Sequence, residues 1–191
     1  MSFYEFARVV LRFLFTVLFR LKAHGVEHIP REGGVLLCSN HISVLDPPTL
    51  GIHVPRRLHY MAKSELFKFK PFAALITALG AFPVKRGGVS KEAIRTSLQL
   101  LRDGHAILMF PEGTRNSDAS SAKRGAALLA IRSGAPVVPC RIVPGYRLFR
   151  RTHVIYGPPI DLSSFGDSVD GDALDRATEL IMQRIRGLNV G

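Results

Sequence analysis

"GVLLCSNHISVLDPP", residues Gly34–Pro48, runs from an apolar stretch into a pair of prolines. A short continuous apolar run such as Gly34–Cys38, closed by turn residues, is the pattern left by a strand buried on both faces of a sheet. Beyond it, Pro47 biases Asp46 away from helical dihedrals, and Pro48 suits the first turn of a following helix. The stretch reads strand, loop, helix. The same alternation extends outward, with strand-like runs at Leu58–Met61, Phe82–Val84, His105–Phe110, Val137–Val143 and His153–Tyr156. Lys91–Arg102 reads as a helix, with Ser90 as N-cap, Ile94, Leu98 and Leu101 on one face, and Asp103-Gly104 as its stop. Further helices are expected over about Ala122–Arg132 and about Gly171–Arg186. This alternation implies an α/β fold: a single domain whose central sheet is largely parallel or mixed and is flanked by helices.

At 191 residues the chain has the length of one domain. An apolar content of 47% with 21% charged residues excludes a disordered chain. The 26 Lys+Arg outweigh 15 Asp+Glu, a formal charge of +11. Such a surface favours anionic partners, whether nucleic acid, acidic lipid, phosphorylated metabolites or an acidic carrier protein. Cys38 and Cys140 each lie inside an apolar run. They argue against a disulfide framework and against a zinc site, and they suit a reducing compartment.

Residues 1–23 form a unit of different character, ahead of the body at 24–191. From Phe3 to Leu21 the chain is rich in Phe, Leu and Val, while Glu5, Arg8, Arg12, Thr16 and Arg20 fall within a helical wedge of roughly 120°. Arg12 stands near the middle of the stretch, where a charge costs about 2.5–3.5 kcal/mol on insertion scales. A spanning helix is therefore disfavoured, and a secretory signal fits poorly because no basic residue precedes the apolar region. The expectation is an amphipathic helix lying in a membrane interface, with docking on the protein's own core as the alternative.

Functional groups in open α/β sheets gather beyond the carboxyl ends of strands. His41 and Asp46 stand there, too far out of phase to share a helix face but able to meet if the loop doubles back. The carboxylate would then hold one imidazole nitrogen and leave the other as a base. The alternative is a turn histidine beside a helix-capping aspartate. Ser43 completes a nominal Ser-His-Asp set, but without a nucleophile elbow and in an unpromising geometry. Three more strand exits carry polar residues: Glu112-Gly113-Thr114-Arg115 after the run ending at Phe110, Lys85-Arg86 after Val84, and Lys63 after Met61. Each alone reads as an ordinary turn. An arginine beside a glycine-opened turn also suits a phosphate or carboxylate.

Together these residues resemble the 1-acyl-sn-glycerol-3-phosphate acyltransferases of the wider glycerolipid acyltransferase superfamily. The family motif NHxxxxD is matched by Asn40, His41 and Asp46, and FPEGTR is present from Phe110 to Arg115. Gly80–Arg86 resembles the family's glycine-to-arginine motif, and Ala135–Pro139 its apolar run ending in proline. The similarity covers about residues 20–160, and the joint spacing of the two signature motifs is its most specific feature.

The resemblance implies transfer of an acyl group from an acyl thioester, acyl-CoA or acyl-ACP, to the free hydroxyl of 1-acylglycerol-3-phosphate (lysophosphatidic acid). The product is phosphatidic acid, for phospholipid biosynthesis. It assigns His41 as general base, Asp46 as its support and Lys63 as a stabiliser of the oxyanion. It gives the acceptor phosphate to Arg86 and Arg115, in a site shaped by Glu112, Gly113 and Thr114. No metal or cofactor is implied beyond the thioester co-substrate. Membrane lipids are the expected partners, with attachment peripheral or monotopic on the cytoplasmic face. Glycerol-3-phosphate and other lyso-lipids are alternative acceptors. A non-catalytic basic protein binding anionic lipid would explain the charge but not His41 with Asp46, and no nucleic-acid module is recognisable. A metal-dependent hydrolase would need more ligands than one His-Asp pair supplies.

Overall fold

A computed structural model of the chain describes residues 2–84, 91–111, 120–166 and 170–190. The elements run α1 (Phe3–Phe19), β1 (Lys22–His24), β2 (Val35–Ser39), α2 (Asp46–Gly51), β3 (Leu58–Lys63), α3 (Lys70–Ala78), β4 (Ala81–Val84) and α4 (Lys91–Arg102). They continue with β5 (Ala106–Met109), α5 (Ser120–Ser133), β6 (Val137–Val143), β7 (His153–Tyr156) and α6 (Gly171–Gly187). The strands form one mixed sheet in the order β1-β7-β6-β2-β5-β3-β4. β2 pairs parallel with β5 and β6, β3 parallel with β5 and β4, and β7 antiparallel with β6. The carboxyl ends of β2 to β6 therefore lie along one edge. Because β1 runs parallel to β7, the end of α1 and the β6–β7 connection reach that edge too.

The β2 residues Val35, Leu36, Leu37 and Cys38 are all fully buried, as a two-faced central strand requires. Leu37 faces a core shared with Phe15 and Phe19 of α1 and Leu50 of α2. Leu36 and Cys38 face a second core built with Leu101 of α4, Ala126 and Leu129 of α5 and Ile181 of α6. The sheet is thus sandwiched, and Cys38 and Cys140 lie in opposite cores as small apolar residues whose thiols burial pushes up. Edge strand β4 tolerates Pro83, where a missing ladder donor does no harm. Gly80 enters β4 at φ 96°, and a Cβ there would collide with the Leu58 carbonyl. The glycine is needed for the close approach of that turn to β3.

Three elements differ from the sequence reading. β1 was hidden because three residues carry no periodicity. Helix α3 was hidden because its apolar residues surround it, with none buried. Asp46, expected outside the helix before Pro47, is its first residue, with Leu45 as N-cap. Helix α1 docks on the protein's own core through one side and leaves an apolar face exposed on the other. Leu11, Phe15, Leu18 and Phe19 pack into the core, and Arg8 turns inward to donate to the Val54 carbonyl at 2.8 Å. Phe3, Phe6, Val10, Phe13, Leu14 and Val17 form an exposed apolar face on the other side. No helix among the described residues is long and apolar enough to cross a membrane.

Candidate active site

Beyond Ser39 the chain leaves the sheet through Asn40, whose side chain takes over the ladder. Its amide nitrogen donates to the Ile142 carbonyl at 3.2 Å and its oxygen accepts from Ile142 N at 2.9 Å. This replaces a main-chain pairing with β6 and frees the backbone to turn at His41. The turn closes on Asp46. Its Oδ2 accepts from Ile42 N at 2.7 Å, from Ser43 N at 2.8 Å and pairs with His41 Nδ1 at 2.7 Å. The structure brings the pair together and removes the helix-capping reading, since Asp46 is itself the first residue of α2 and caps nothing in it. One carboxylate oxygen both closes the turn and holds the imidazole, and the backbone donors it takes lie upstream of it, not in α2.

Asp46 is fully buried, whereas the His41 side chain keeps 18% of its surface exposed. With Nδ1–H donated to the carboxylate, Nε2 carries the lone pair, and among the described residues it makes no hydrogen bond. Phe110, just past β5, stacks on the imidazole with centroids 4.1 Å apart and planes inclined by 19°. It fixes the ring plane and covers one face with carbon. Ser43 has no bond to His41; its Oγ accepts from Leu45 N at 3.2 Å, a local turn contact. No group of three or more His, Cys, Asp or Glu able to hold a metal occurs among the described residues.

The carboxylate's other oxygen is held by a residue that sequence reading missed. Tyr146, in the β6–β7 connection, donates to Asp46 Oδ1 at 2.9 Å and lies 2.9 Å from Thr49 Oγ1. Burial, with the Asp46 charge beside it, pushes this hydroxyl well above the ordinary phenol range, so it remains a donor. Phe19 of α1 packs edge-on against its ring at 5.3 Å. A lone tyrosine in a Pro-Gly turn, 100 residues from its partner, carries no signal in one sequence. Tyr146→Phe keeps the packing and removes one hydrogen bond to a charged acceptor. The expected result is a 5- to 30-fold lower kcat with KM little changed, for about 1–2 kcal/mol, read by steady-state kinetics.

Lys63 is the exposed last residue of β3. Tyr60 stands level with Leu108 and so with Leu37, and continuing that register three residues puts Lys63 level with Asn40 two strand spacings away, roughly 10 Å. Leu58 and Tyr60 face the α1 side and Met61 the other, so alternation directs Lys63 away from the side holding the His41 ring. Among the described residues no hydrogen bond or ion pair joins it to His41 or Asp46. Arg86, Glu112, Gly113, Thr114 and Arg115 lie outside the described residues. The strands leading to them, β4 and β5, end on the same edge as β2.

Residues 20–143 match the family model described as Acyltransferase, well over half of the chain. The chain belongs to the acyltransferase family. The match includes the buried Asp46, its imidazole partner and strands β1 to β6. A protein named 1-acyl-sn-glycerol-3-phosphate acyltransferase from Bacillus subtilis is 32% identical, over 97% of this chain and 96% of its own length. One of the same name from Streptococcus pneumoniae is 29% identical, over 84% of this chain and 64% of that protein. The crystal structure of the 1-acyl-sn-glycerophosphate (LPA) acyltransferase PlsC from Thermotoga maritima superposes with a TM-score of 0.72 at 24% identity. It covers 96% of this acyltransferase and 77% of that chain, a likeness that establishes the fold.

Proposed function

We propose that this acyltransferase moves a fatty acyl group from acyl-CoA or acyl-ACP to the free hydroxyl of 1-acylglycerol-3-phosphate, giving phosphatidic acid. The observation that carries the chemistry is the oriented imidazole: His41 Nδ1 is tied to buried Asp46, with Nε2 open. His41 Nε2 takes the proton of the lipid hydroxyl as its oxygen attacks the thioester carbonyl. The tetrahedral intermediate collapses with cleavage of the C–S bond, and the imidazolium returns the proton to the leaving thiolate. Atoms balance to one ester and one thiol, and no enzyme nucleophile is used.

The names of the relatives support 1-acylglycerol-3-phosphate as acceptor. The family resemblance supports Arg86 and Arg115 as holders of its phosphate, with Glu112, Gly113 and Thr114 around them. The described geometry lends no support to an oxyanion role for Lys63. The exposed apolar face of α1 supports peripheral attachment, proposed for the cytoplasmic face of the membrane. Deleting α1 would open the core at Phe15 and Phe19, so attachment is better tested by a surface variant. Phe6→Ser/Phe13→Ser/Val17→Ser should weaken vesicle co-sedimentation at least tenfold while leaving the melting temperature near that of the parent; unchanged partitioning would refute attachment through this helix.

The function itself is tested by offering the purified protein 1-acylglycerol-3-phosphate, glycerol-3-phosphate and lysophosphatidylcholine, each with acyl-CoA and acyl-ACP, and identifying the lipid formed. Phosphatidic acid from the first acceptor is expected. Turnover confined to glycerol-3-phosphate would move the reading to that acceptor.

A further inference from the structure

The β6–β7 connection does more than supply Tyr146. Two and three residues further on, its tip exposes Leu148 and Phe149, at 63% and 65% of their surfaces, between exposed Arg147, Arg150 and Arg151. Phe149 holds φ at 59°, a left-handed conformation rare for a bulky side chain, yet its ring gains no burial in return. What fixes it is the end of α1. Phe149 N donates to the Leu18 carbonyl at 2.6 Å and Thr152 N to the Phe19 carbonyl at 3.0 Å, satisfying carbonyls that a helix terminus leaves unpaired. The tip is thus pinned to the helix whose outer face is apolar. On its other side the connection meets the catalytic loop: a Cβ on Gly145 would lie 3.8 Å from Ile42 Cδ1, and Ile42 and Val44 are themselves 43% and 69% exposed.

The charge around this surface has one sign. Arg20 and Lys22, both exposed, adjoin the same pinned junction, and neither 16–24 nor 141–155 contains an Asp or Glu. Two apolar side chains projecting between arginines, with more apolar residues at the mouth of the site, match a lipid interface: carbon beneath the headgroups and guanidinium at the phosphates. We propose that the Arg147–Arg151 tip is a second membrane-docking element, which inserts Leu148 and Phe149 into an anionic bilayer and sets the mouth of the His41 site against it. The proposal rests on the reading of this acyltransferase as a peripheral membrane enzyme. It adds an orientation, because a helix lying in the interface can roll, whereas a helix and a pinned loop together define a plane.

Two variants of the full chain separate the contributions: Leu148→Ser/Phe149→Asn, asparagine being tolerant of the positive φ, and Arg147→Gln/Arg150→Gln/Arg151→Gln. Binding is measured by flotation with phosphatidylcholine vesicles containing or lacking phosphatidylglycerol. Activity is measured on lysophosphatidate in those vesicles and on a short-chain lysophosphatidate dispersed as monomers. The apolar variant should bind both kinds of vesicle about tenfold more weakly. The arginine variant should lose about fivefold per residue, on anionic vesicles alone. Both should lose activity on vesicle substrate and keep it on the monomeric one, which also shows that they fold. Unchanged binding, or equal loss on both substrates, overturns the docking role. So does a raised KM for acyl-ACP with intact vesicle binding, since that would make the tip a protein-docking surface. If the parent protein itself fails to float, the peripheral-membrane reading falls, an outcome distinct from a variant matching a parent that binds.

Discussion

His41→Ala is expected to lower acyl transfer by about 10²- to 10⁴-fold, the range removed when a positioned general base is lost, while lysophosphatidate still binds. The imidazole has one polar partner, Asp46 Oδ2, stacks on the face of Phe110, and keeps 18% of its surface exposed at the edge of the core. Its removal therefore leaves the core intact. The main turn-closing bonds, from Ile42 N and Ser43 N to Asp46, do not involve the ring. A loss in kcat with unchanged affinity for the acceptor would mark a group acting in the transition state. Added imidazole should restore part of the rate by entering the vacated space. Near-normal turnover in the variant would remove His41 from the chemistry.

Asp46 should separate charge from architecture in two substitutions. Asp46→Asn can place its amide oxygen toward His41 Nδ1, Ile42 N and Ser43 N and turn its NH₂ toward the Tyr146 oxygen, which can accept. The turn and the tautomer survive, and only the negative charge that favours the imidazolium is lost. Transfer should fall about 100-fold, near the low end of what a catalytic acid–base group contributes, with little change in stability. Asp46→Ala instead strands those donors, at about 1–3 kcal/mol for each one kept from water. Because His41 is partly open to solvent, a total near 3 kcal/mol is expected, seen as a melting temperature roughly 6–12 °C lower. Its activity should fall further than that of the asparagine variant. Equal melting temperatures for the two variants would contradict the turn-closing role of the carboxylate.

How much of this was legible depends on the range of each interaction. β2, β6 and β7 were visible because short, mainly apolar runs between turn residues mark buried strands. The meeting of His41 with Asp46 was legible as a possibility, since five residues and two prolines permit a loop that folds back. Its outcome, one oxygen serving both the turn and the ring, was not, because the backbone donors of Ile42 and Ser43 are present in every sequence. Tyr146 and Phe110 reach His41 and Asp46 through sheet order, and strand order is set by packing that no local pattern records. The wedge of charges on α1 correctly marked a helix of mixed character. It misdirected Arg8, whose inward turn depends on a carbonyl at Val54 that only the tertiary fold supplies.

The central claim is that the lipid hydroxyl, activated by His41, attacks the thioester directly. Rapid mixing of the protein with acyl-CoA in the absence of acceptor, with released thiol followed through the first turnover, tests it most directly. No burst should be seen, and thiol should appear only when 1-acylglycerol-3-phosphate is added, in step with phosphatidic acid. A burst of one thiol per protein molecule before any acceptor is present would show an acyl-enzyme, and would return the attack to a side chain such as Ser43.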